Sequence, residues 1–250
     1  MARPLASWRG AINTSMCGSA CARISRVPTM RMTPEQAAWF ERVHTEWFEV
    51  MRPFDDGFQI SPLFPPLPVL LPERLVGCEL LSSREEILRR LPKGSVGAEI
   101  GTQEGRFAEK IMEIARPEQL YLFDLHDTWL IPRQPILQAA AEKIGTDVFF
   151  DRGDSSINLA KYPDDRFDWI YIDGDHSYEG VRRDIEVARI KIKPNGLLIF
   201  NDFTIWSVAE CCDYGVPYAV CEFIEQYGWN MVYFALHPHC YHDVALRRPA

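Results

Sequence analysis

The chain has 250 residues, of which 47% are hydrophobic and 25% charged, and its formal net charge is −8. These values are typical of a soluble globular domain with an extension, and no apolar run reaches the about 18 residues that a membrane span needs. An acidic chain lacks the basic surface that binds polyanions, so composition predicts neither a nucleic-acid partner nor a membrane partner.

Seven cysteines are scattered along the chain without a CxxC pair. An odd, scattered set indicates free thiols in a reducing compartment and not a disulfide framework. The sequence therefore predicts a cytoplasmic protein. It leaves open whether the chain forms a homo-oligomer.

Residues 1–32 are rich in arginine and serine and contain no acidic residue. Such a segment is compatible with an organelle transit peptide. We favour the alternative that translation is assigned an upstream start, with Met30 or Met32 as the true beginning. Under either interpretation we expect residues 1–32 to be disordered and to take no part in chemistry.

Residues 33–92 are predicted to form an N-terminal helical and proline-rich extension. Thr33, Pro34 and Gln36 have the pattern of a helix start with a capping box. The segment 53–72 contains six prolines, which exclude regular structure. We interpret it either as a connector or as a lid over a substrate site.

From residue 93 to residue 250, strand and helix patterns alternate. This order predicts an α/β fold, namely a Rossmann-like, doubly wound, mostly parallel sheet of seven strands. The last two strand patterns are joined by a short turn, so they form an antiparallel C-terminal hairpin. The predicted strands lie at 96–100, 120–124, 147–150, 168–172, 197–201, 229–236 and 242–246. The predicted helices lie at 104–115, 135–144, 155–161, 178–191 and 216–227.

A glycine turn follows the first of these strands, at Glu99, Gly101 and Gly105. Glycines are needed where a Cβ would block a ligand or where φ must be positive. The turn lacks the glycines of the dinucleotide fingerprint, because the third position from Gly101 is Gln103 and the sixth is Arg106. An NAD(P) oxidoreductase is therefore disfavoured.

Carboxylates end the next strands. Asp124 follows the second strand, where two acceptor oxygens suit a ribose diol. Asp154 and Ser155 follow the third strand and also suit a helix N-cap.

The fourth and fifth strands end in two polar strings, Asp173-Gly-Asp175-His176 and Asn201-Asp202. Titratable groups crowded at one strand end favour function over structure. Asp173, Asn201 and Asp202 form an oxygen-rich set of the kind that binds Mg²⁺.

These motifs together resemble the class I S-adenosylmethionine (SAM)-dependent methyltransferases, whose motif I is Glu/Asp-x-Gly-x-x-x-Gly. The string Ile-Asp-Gly-Asp-His-Ser-Tyr-Glu-Gly at 172–180 is similar to that of a largely bacterial subfamily, and also to metal-dependent sugar O-methyltransferases. The resemblance implies that SAM binds to Glu99, Gly101, Thr102, Gly105, Asp124, Asp154, Ser155 and Asp173. It also implies a Mg²⁺ site at Asp173, Asn201 and Asp202, although Asn201 stands where those enzymes have an acid.

A hydroxyl acceptor must lose a proton during methyl transfer, and His176 or Asp175 is the predicted base. The sequence thus predicts a SAM-dependent O-methyltransferase that acts on a small molecule. The alternatives are another enzyme on the same fold, such as a hydroxylase-like one, and a SAM-binding protein without activity.

Overall fold

The structure is a computed structural model that describes residues 33–51 and 65–249. The chain divides into two compact units, with the division between residues 63 and 64. The predictions for residues 1–32 and for the segment 53–64 lie outside the described residues.

The described part of the first unit is one helix, α1 (Pro34–Met51). Its start has the predicted capping box, because the Gln36 amide donates to Thr33 Oγ1 at 3.2 Å. In return the Thr33 amide donates to Gln36 Oε1 at 2.9 Å. Two of the otherwise unpaired N–H groups near the helix start are thereby satisfied.

The second unit is built on a sheet of eight strands among the described residues, in the order β1-β9-β10-β6-β5-β2-β3-β4. Neighbours pair in parallel except at β10, which runs antiparallel to both β6 and β9. The strands are β1 (Glu79–Leu81), β2 (Val96–Ile100), β3 (Gln119–Asp124), β4 (Asp147–Arg152), β5 (Phe167–Ile172), β6 (Ile192–Phe200), β9 (Asn230–Ala235) and β10 (Asp243–Arg247).

This topology confirms the predicted Rossmann-like sheet with an antiparallel C-terminal hairpin. The seven predicted strands are all present, and β1 adds an eighth at the edge beside β9. Since β1 lies in this sheet, the predicted boundary at residue 93 separates residues that belong to one sheet. A separate short hairpin, β7 (Trp206–Ser207) with β8 (Cys212–Asp213), follows β6.

Helices cover both faces of the sheet and bury two apolar clusters. One cluster packs residues of α6, α7 and α8 against the sheet, and the other packs residues of α2, α3 and α5 against the opposite face. Described helices of the second unit are α2 (Arg84–Arg90), α3 (Arg106–Ala115), α4 (Asp127–Leu130), α5 (Gln134–Ile144), α6 (Ser155–Ala160), α7 (Tyr178–Lys191) and α8 (Val216–Tyr227). Among the described helices, none is both long and apolar enough to cross a membrane.

The strand ends that carry the predicted site residues are held together by backbone hydrogen bonds. The Gly101 amide donates to the Phe123 carbonyl, the Asp173 amide to the Ile100 carbonyl, and the Asn201 amide to the Ile172 carbonyl. These bonds link the carboxyl ends of β2, β3, β5 and β6. The strand order reverses between β2 and β5, which is the place where open α/β sheets bind ligands.

Candidate functional site

The glycine turn after β2 is shaped by its contact with the end of β5. Gly101 has φ +88°, and a Cβ on it would lie 1.9 Å from the Asp173 carbonyl oxygen. Gly105 has φ +69°, and its Cβ would lie 2.5 Å from Leu137 Cδ1. The contact with the Asp173 backbone therefore requires glycine at 101, whereas at 105 the positive φ is the main reason that glycine is favoured.

A first cavity, which we call the α6 cavity, has a volume of about 330 Å³ and lies beside the start of α6. The predicted residues that line it are Gly101, Asp124, Asp154, Ser155, Asp173 and Asp175. The Asp124 carboxylate is held rigidly, because Oδ2 accepts from the Gln103 amide at 2.6 Å and Oδ1 from the His126 amide at 2.8 Å. Each oxygen has a further lone pair for a ligand hydroxyl.

Asp154 is the N-cap of α6 and accepts from the Ser156 and Ile157 amides at 2.9 and 3.3 Å. The Ser156 hydroxyl and these amides lower the pKa of Asp154 below its ordinary value. Ser155 donates to Asp184 Oδ1 at 2.6 Å. The capping role expected from the sequence is thus present, and both residues also face the α6 cavity.

A second cavity, which we call the α3 cavity, has a volume of about 450 Å³ and is lined by Glu99, Thr102 and residues of α3. Gly101, Gln103 and Asp173 line both cavities, so the two adjoin. Glu99 is only 1% exposed. Burial, with the Asp173 charge, raises its pKa well above the ordinary value, and its Oε2 has no hydrogen-bond partner. A buried carboxyl with an unpaired oxygen is a strong candidate to bind a cationic ligand group.

His176 lies between two carboxylates. Its Nε2 is 3.4 Å from Asp173 Oδ1 and 3.6 Å from Asp202 Oδ2. Its ring stacks on Tyr214, with centroids 4.5 Å apart. Nε2 is buried and makes no hydrogen bond with good geometry among the described residues. Burial lowers the pKa of His176, but the neighbouring Asp173, Asp202 and Glu210 outweigh burial and raise it above 6.5. The imidazolium is therefore stabilised at this position.

Asp175, the other predicted base, is exposed and is engaged in its own loop. Its Oδ1 accepts from the Ser177 amide at 2.9 Å, and its Oδ2 lies 3.5 Å from Arg183. It packs so closely on Gly180 that a Cβ there would lie 2.3 Å from its carboxyl carbon. The structure thus separates the two candidates, with His176 between acids and Asp175 at the wall of the α6 cavity.

The residues predicted to bind Mg²⁺ do not fit that ion. Asn201 directs its amide nitrogen to Asp243 Oδ1 at 3.3 Å, and the His176 ring lies between Asp173 and Asp202. In the part of the chain that the structure describes, no group of three or more His, Cys, Asp or Glu residues could hold a metal ion. Magnesium is therefore not supported as a cofactor.

Arg84, Tyr171 and Asp243 also belong to the site and were missed by sequence reasoning. Asp243 is fully buried, accepts from the Tyr171 hydroxyl, and has its pKa raised by burial to about 7. Arg84 lines the α3 cavity. The sequence signal available for Asp243 was an acidic residue at the start of the apolar run 243–246. Nothing near Arg84 in the sequence marks it.

Stability should fall as pH rises, because folding raises the pKa values of buried carboxyls. Burial raises the pKa to about 6 for Asp184 and Asp202 and to about 7 for Asp243. A raised carboxyl pKa favours the protonated form in the folded state, so its stabilising contribution is complete below about pH 4 and is lost as pH rises through 6–7. Asp243→Asn should therefore shrink the difference in unfolding free energy between pH 5 and pH 8, as measured by urea denaturation. The exposed Asp147→Asn variant should keep the wild-type difference, and an equal reduction in both variants would contradict this account.

Comparison with known proteins identifies a family match over part of the chain. A model of the family described as a methyltransferase domain matches residues 98–203. No curated protein matches the chain by sequence.

Solved structures share the fold. A SAM-dependent methyltransferase from Aquifex aeolicus is 16% identical, with a TM-score of 0.50, over 72% of this chain and 94% of that one. A putative rRNA-methylase from Clostridium thermocellum is 13% identical, with a TM-score of 0.50, over 66% and 95%. A tRNA methyltransferase of B. subtilis is 14% identical, with a TM-score of 0.48, over 68% and 67%.

The prediction that excludes nucleic acid as a partner is wrong. The fold of this chain is shared with a putative rRNA-methylase, so it is compatible with a nucleic-acid acceptor. The prediction failed because the net charge of a whole chain does not describe the charge around one binding surface.

The matched segment 98–203 contains most of the residues that line the two cavities, including Glu99, Asp124, Asp154 and Asp173. The family match thus places a methyltransferase domain over residues 98–203, and the fold of this chain is shared with a SAM-dependent methyltransferase.

Proposed function

We propose that the protein transfers the methyl group of SAM to a hydroxyl oxygen of a small-molecule acceptor. The observation that carries this proposal is the position of His176 between Asp173 and Asp202, next to the residue Asp173 that lines both cavities. An imidazole held between acids is suited to take a proton, and a hydroxyl acceptor has a proton to lose.

The two cavities match the two ends of SAM. In the α6 cavity, the Asp124 carboxylate suits the ribose hydroxyls, and Asp154 with Ser155 suits the adenine. In the α3 cavity, Glu99 and Thr102 suit the amino-acid end. Gly101 and Asp173 line both cavities, so the sulfonium would pass beside them. The Asp173 carboxylate is well placed to stabilise that positive charge.

When bound, SAM supplies an electrophilic methyl group on a good leaving group. The protein must hold the acceptor oxygen in line with that methyl group, at about 3–3.5 Å. His176 Nε2 would accept the hydroxyl proton as the new oxygen–carbon bond forms, and Asp173 and Asp202 would stabilise the resulting imidazolium. We assign the base role to His176 and not to Asp175, because Asp175 is exposed and bonded within its own loop.

The proposal is tested with SAM carrying an isotope-labelled methyl group, offered with a mixture of small metabolites and, separately, with total RNA. A small-molecule product whose ¹³C-labelled methyl group has the NMR chemical shift of a methyl ether supports O-methylation. Label in the RNA fraction alone overturns the small-molecule acceptor and leaves the methyltransferase. SAM binding without any transfer identifies a binding protein, and absence of SAM binding overturns the donor assignment.

Replacing Asp124 by asparagine should weaken binding of S-adenosylhomocysteine by about 10- to 100-fold, because a hydrogen bond to a charged acceptor contributes about 1.5–3 kcal/mol. The measurement is isothermal titration calorimetry. The matched control is Asp151→Asn, since Asp151 accepts from Tyr162 in the same strand region and is not among the residues lining the two cavities. Equal affinity in wild type and Asp124→Asn would contradict the assignment of Asp124 to the ribose.

A further inference from the structure

The α3 cavity contains one basic side chain without an acidic partner. Three basic residues line it, Arg84, Arg106 and Lys110. Arg106 is paired with Glu104 at 2.6 Å, and Lys110 with Glu85 at 2.7 Å. Within the described residues, no carboxylate oxygen lies within the 4.0 Å ion-pair distance of Arg84. Burial lowers the pKa of Arg84, but Tyr171, Asp243 and Asp173 outweigh burial and raise it, so these groups lie near the guanidinium without forming an ion pair with it. Arg84 is therefore the cation of this cavity that can still form an ion pair with an incoming anion.

The Arg84 guanidinium is held in place by aromatic residues. Its Cζ lies 4.2 Å above the centroid of the Phe107 ring, which in turn lies 4.7 Å from the Tyr171 ring. A guanidinium stacked on an aromatic face keeps its N–H edge available for a planar partner. Arg84 is half-buried, so an ion pair formed here is only weakly screened by salt.

Glu99 supplies a hydrogen-bond acceptor in the same cavity. Its side chain is 1% exposed and its Oε2 has no hydrogen-bond partner among the described residues. An unpaired buried oxygen calls for a donor, and an ammonium group is the strongest one available to a ligand. The cavity thus presents an acceptor for a cation and a fork of donors for an anion.

We propose that Arg84 binds the α-carboxylate of the cofactor's amino-acid group while Glu99 binds its α-ammonium group. This inference rests on the proposed function, because it assumes SAM as the donor. An amino acid is a zwitterion, and its carboxylate would pair with the Arg84 guanidinium while its ammonium group would donate to Glu99 and favour the ionised form of that carboxyl. A bidentate bond between guanidinium and carboxylate also fixes the orientation of the ligand. Arg84 lies in α2, outside the segment 98–203, so this binding residue comes from the N-terminal side of the matched domain.

Comparing the affinities of two ligands distinguishes binding of the carboxylate by Arg84 from a purely structural role of Arg84. SAM carries the carboxylate, and decarboxylated SAM lacks it but keeps the ammonium, the sulfonium and the adenosine. Wild type should bind SAM about 10- to 100-fold more tightly than the decarboxylated ligand, which corresponds to one charge-assisted hydrogen-bonded pair. In Arg84→Met the two affinities should become equal, because SAM affinity falls while that of decarboxylated SAM stays. Methionine keeps an apolar contact with Phe107.

The matched control is Arg89→Met, since Arg89 lies in α2 like Arg84 but is paired with Glu86 and is not among the residues lining the two cavities. It should keep the wild-type preference for SAM. If Arg84→Met is too unstable to purify, Arg84→Lys retains the charge without the planar fork and should lower the preference to an intermediate value.

Several results would overturn the proposal. They are an unchanged preference in Arg84→Met or Arg84→Lys, an equal loss of affinity for both ligands, or a loss of preference in Arg89→Met as large as that in Arg84→Met. If wild type binds neither SAM nor decarboxylated SAM, the proposed function itself fails. If wild type binds both ligands and the Arg84 variant keeps the wild-type preference, only the assignment of Arg84 fails.

Discussion

Replacing Gly101 by valine is expected to abolish SAM binding. The residue has φ +88°, and any side chain there would overlap the Asp173 carbonyl, which a Cβ would approach to 1.9 Å. The end of β5 would have to move away from the turn after β2. Since Gly101 and Asp173 line both cavities, that movement would distort the whole cleft. Calorimetric titration with SAM should show no binding to the folded variant.

The Gly145→Val variant is a control that distinguishes the effect of backbone strain from distortion of the SAM-binding cleft. Gly145 also has a positive φ, +73°, but a Cβ there has nothing within 4 Å. This control should lose stability by roughly 1–2 kcal/mol, the cost of a left-handed conformation, and should bind SAM normally. A folded Gly101→Val protein with wild-type affinity for SAM would contradict our assignment of the turn to the cofactor.

Replacing His176 by glutamine is expected to lower kcat by about 10²- to 10⁴-fold, the usual contribution of a general base. SAM affinity should change little, because His176 is not among the residues lining the two cavities. The exposed His239→Gln variant is the control and should retain full activity. Loss of SAM affinity together with kcat would assign His176 to the cofactor site and remove it as the base.

The pH profile of kcat provides an independent readout of the same role. A base acts in its neutral form, so activity should rise with pH with a midpoint above 6.5, the direction in which Asp173, Asp202 and Glu210 move the pKa of His176. Asp202→Asn removes one of these charges and should move the midpoint to lower pH. A midpoint that does not respond to this substitution would mean that another group is titrating.

Much of the fold could be predicted because its signals are local. The strand 96–100 and the helices 178–191 and 216–227 have the predicted bounds, since apolar periodicity and neighbouring glycine or proline mark their ends. The strand β1 could not be predicted in this way. It has three residues and pairs with β9, about 150 positions later in the chain, so no local sequence pattern predicts it.

The residues of the candidate site likewise divide into those that local sequence signals predict and those that they do not. Glu99, Asp124 and Asp173 were found because polar residues that end parallel strands meet at one edge of the sheet. Arg84, Tyr214 and Asp243 reach that edge from elements far away in the sequence. Their roles follow from packing, such as the stacking of Tyr214 on His176, and packing cannot be read from spacing.

The metal prediction is not supported by the structure, for a related reason. The sequence places Asp173, Asn201 and Asp202 at neighbouring strand ends, which suggests a shared ligand. Side-chain direction decides the outcome, because Asn201 bonds to Asp243 and His176 lies between the two aspartates. Residue type and strand order predict which groups are near one another, but not what each of them contacts.

The central claim is that one SAM molecule occupies both cavities, and a crystal structure with S-adenosylhomocysteine tests it most directly. We expect the ribose hydroxyls on Asp124, the adenine beside Asp154 and Ser155, and the amino-acid group between Glu99 and Arg84. Ligand density elsewhere on the chain, or an empty cleft at saturating ligand, would contradict the account.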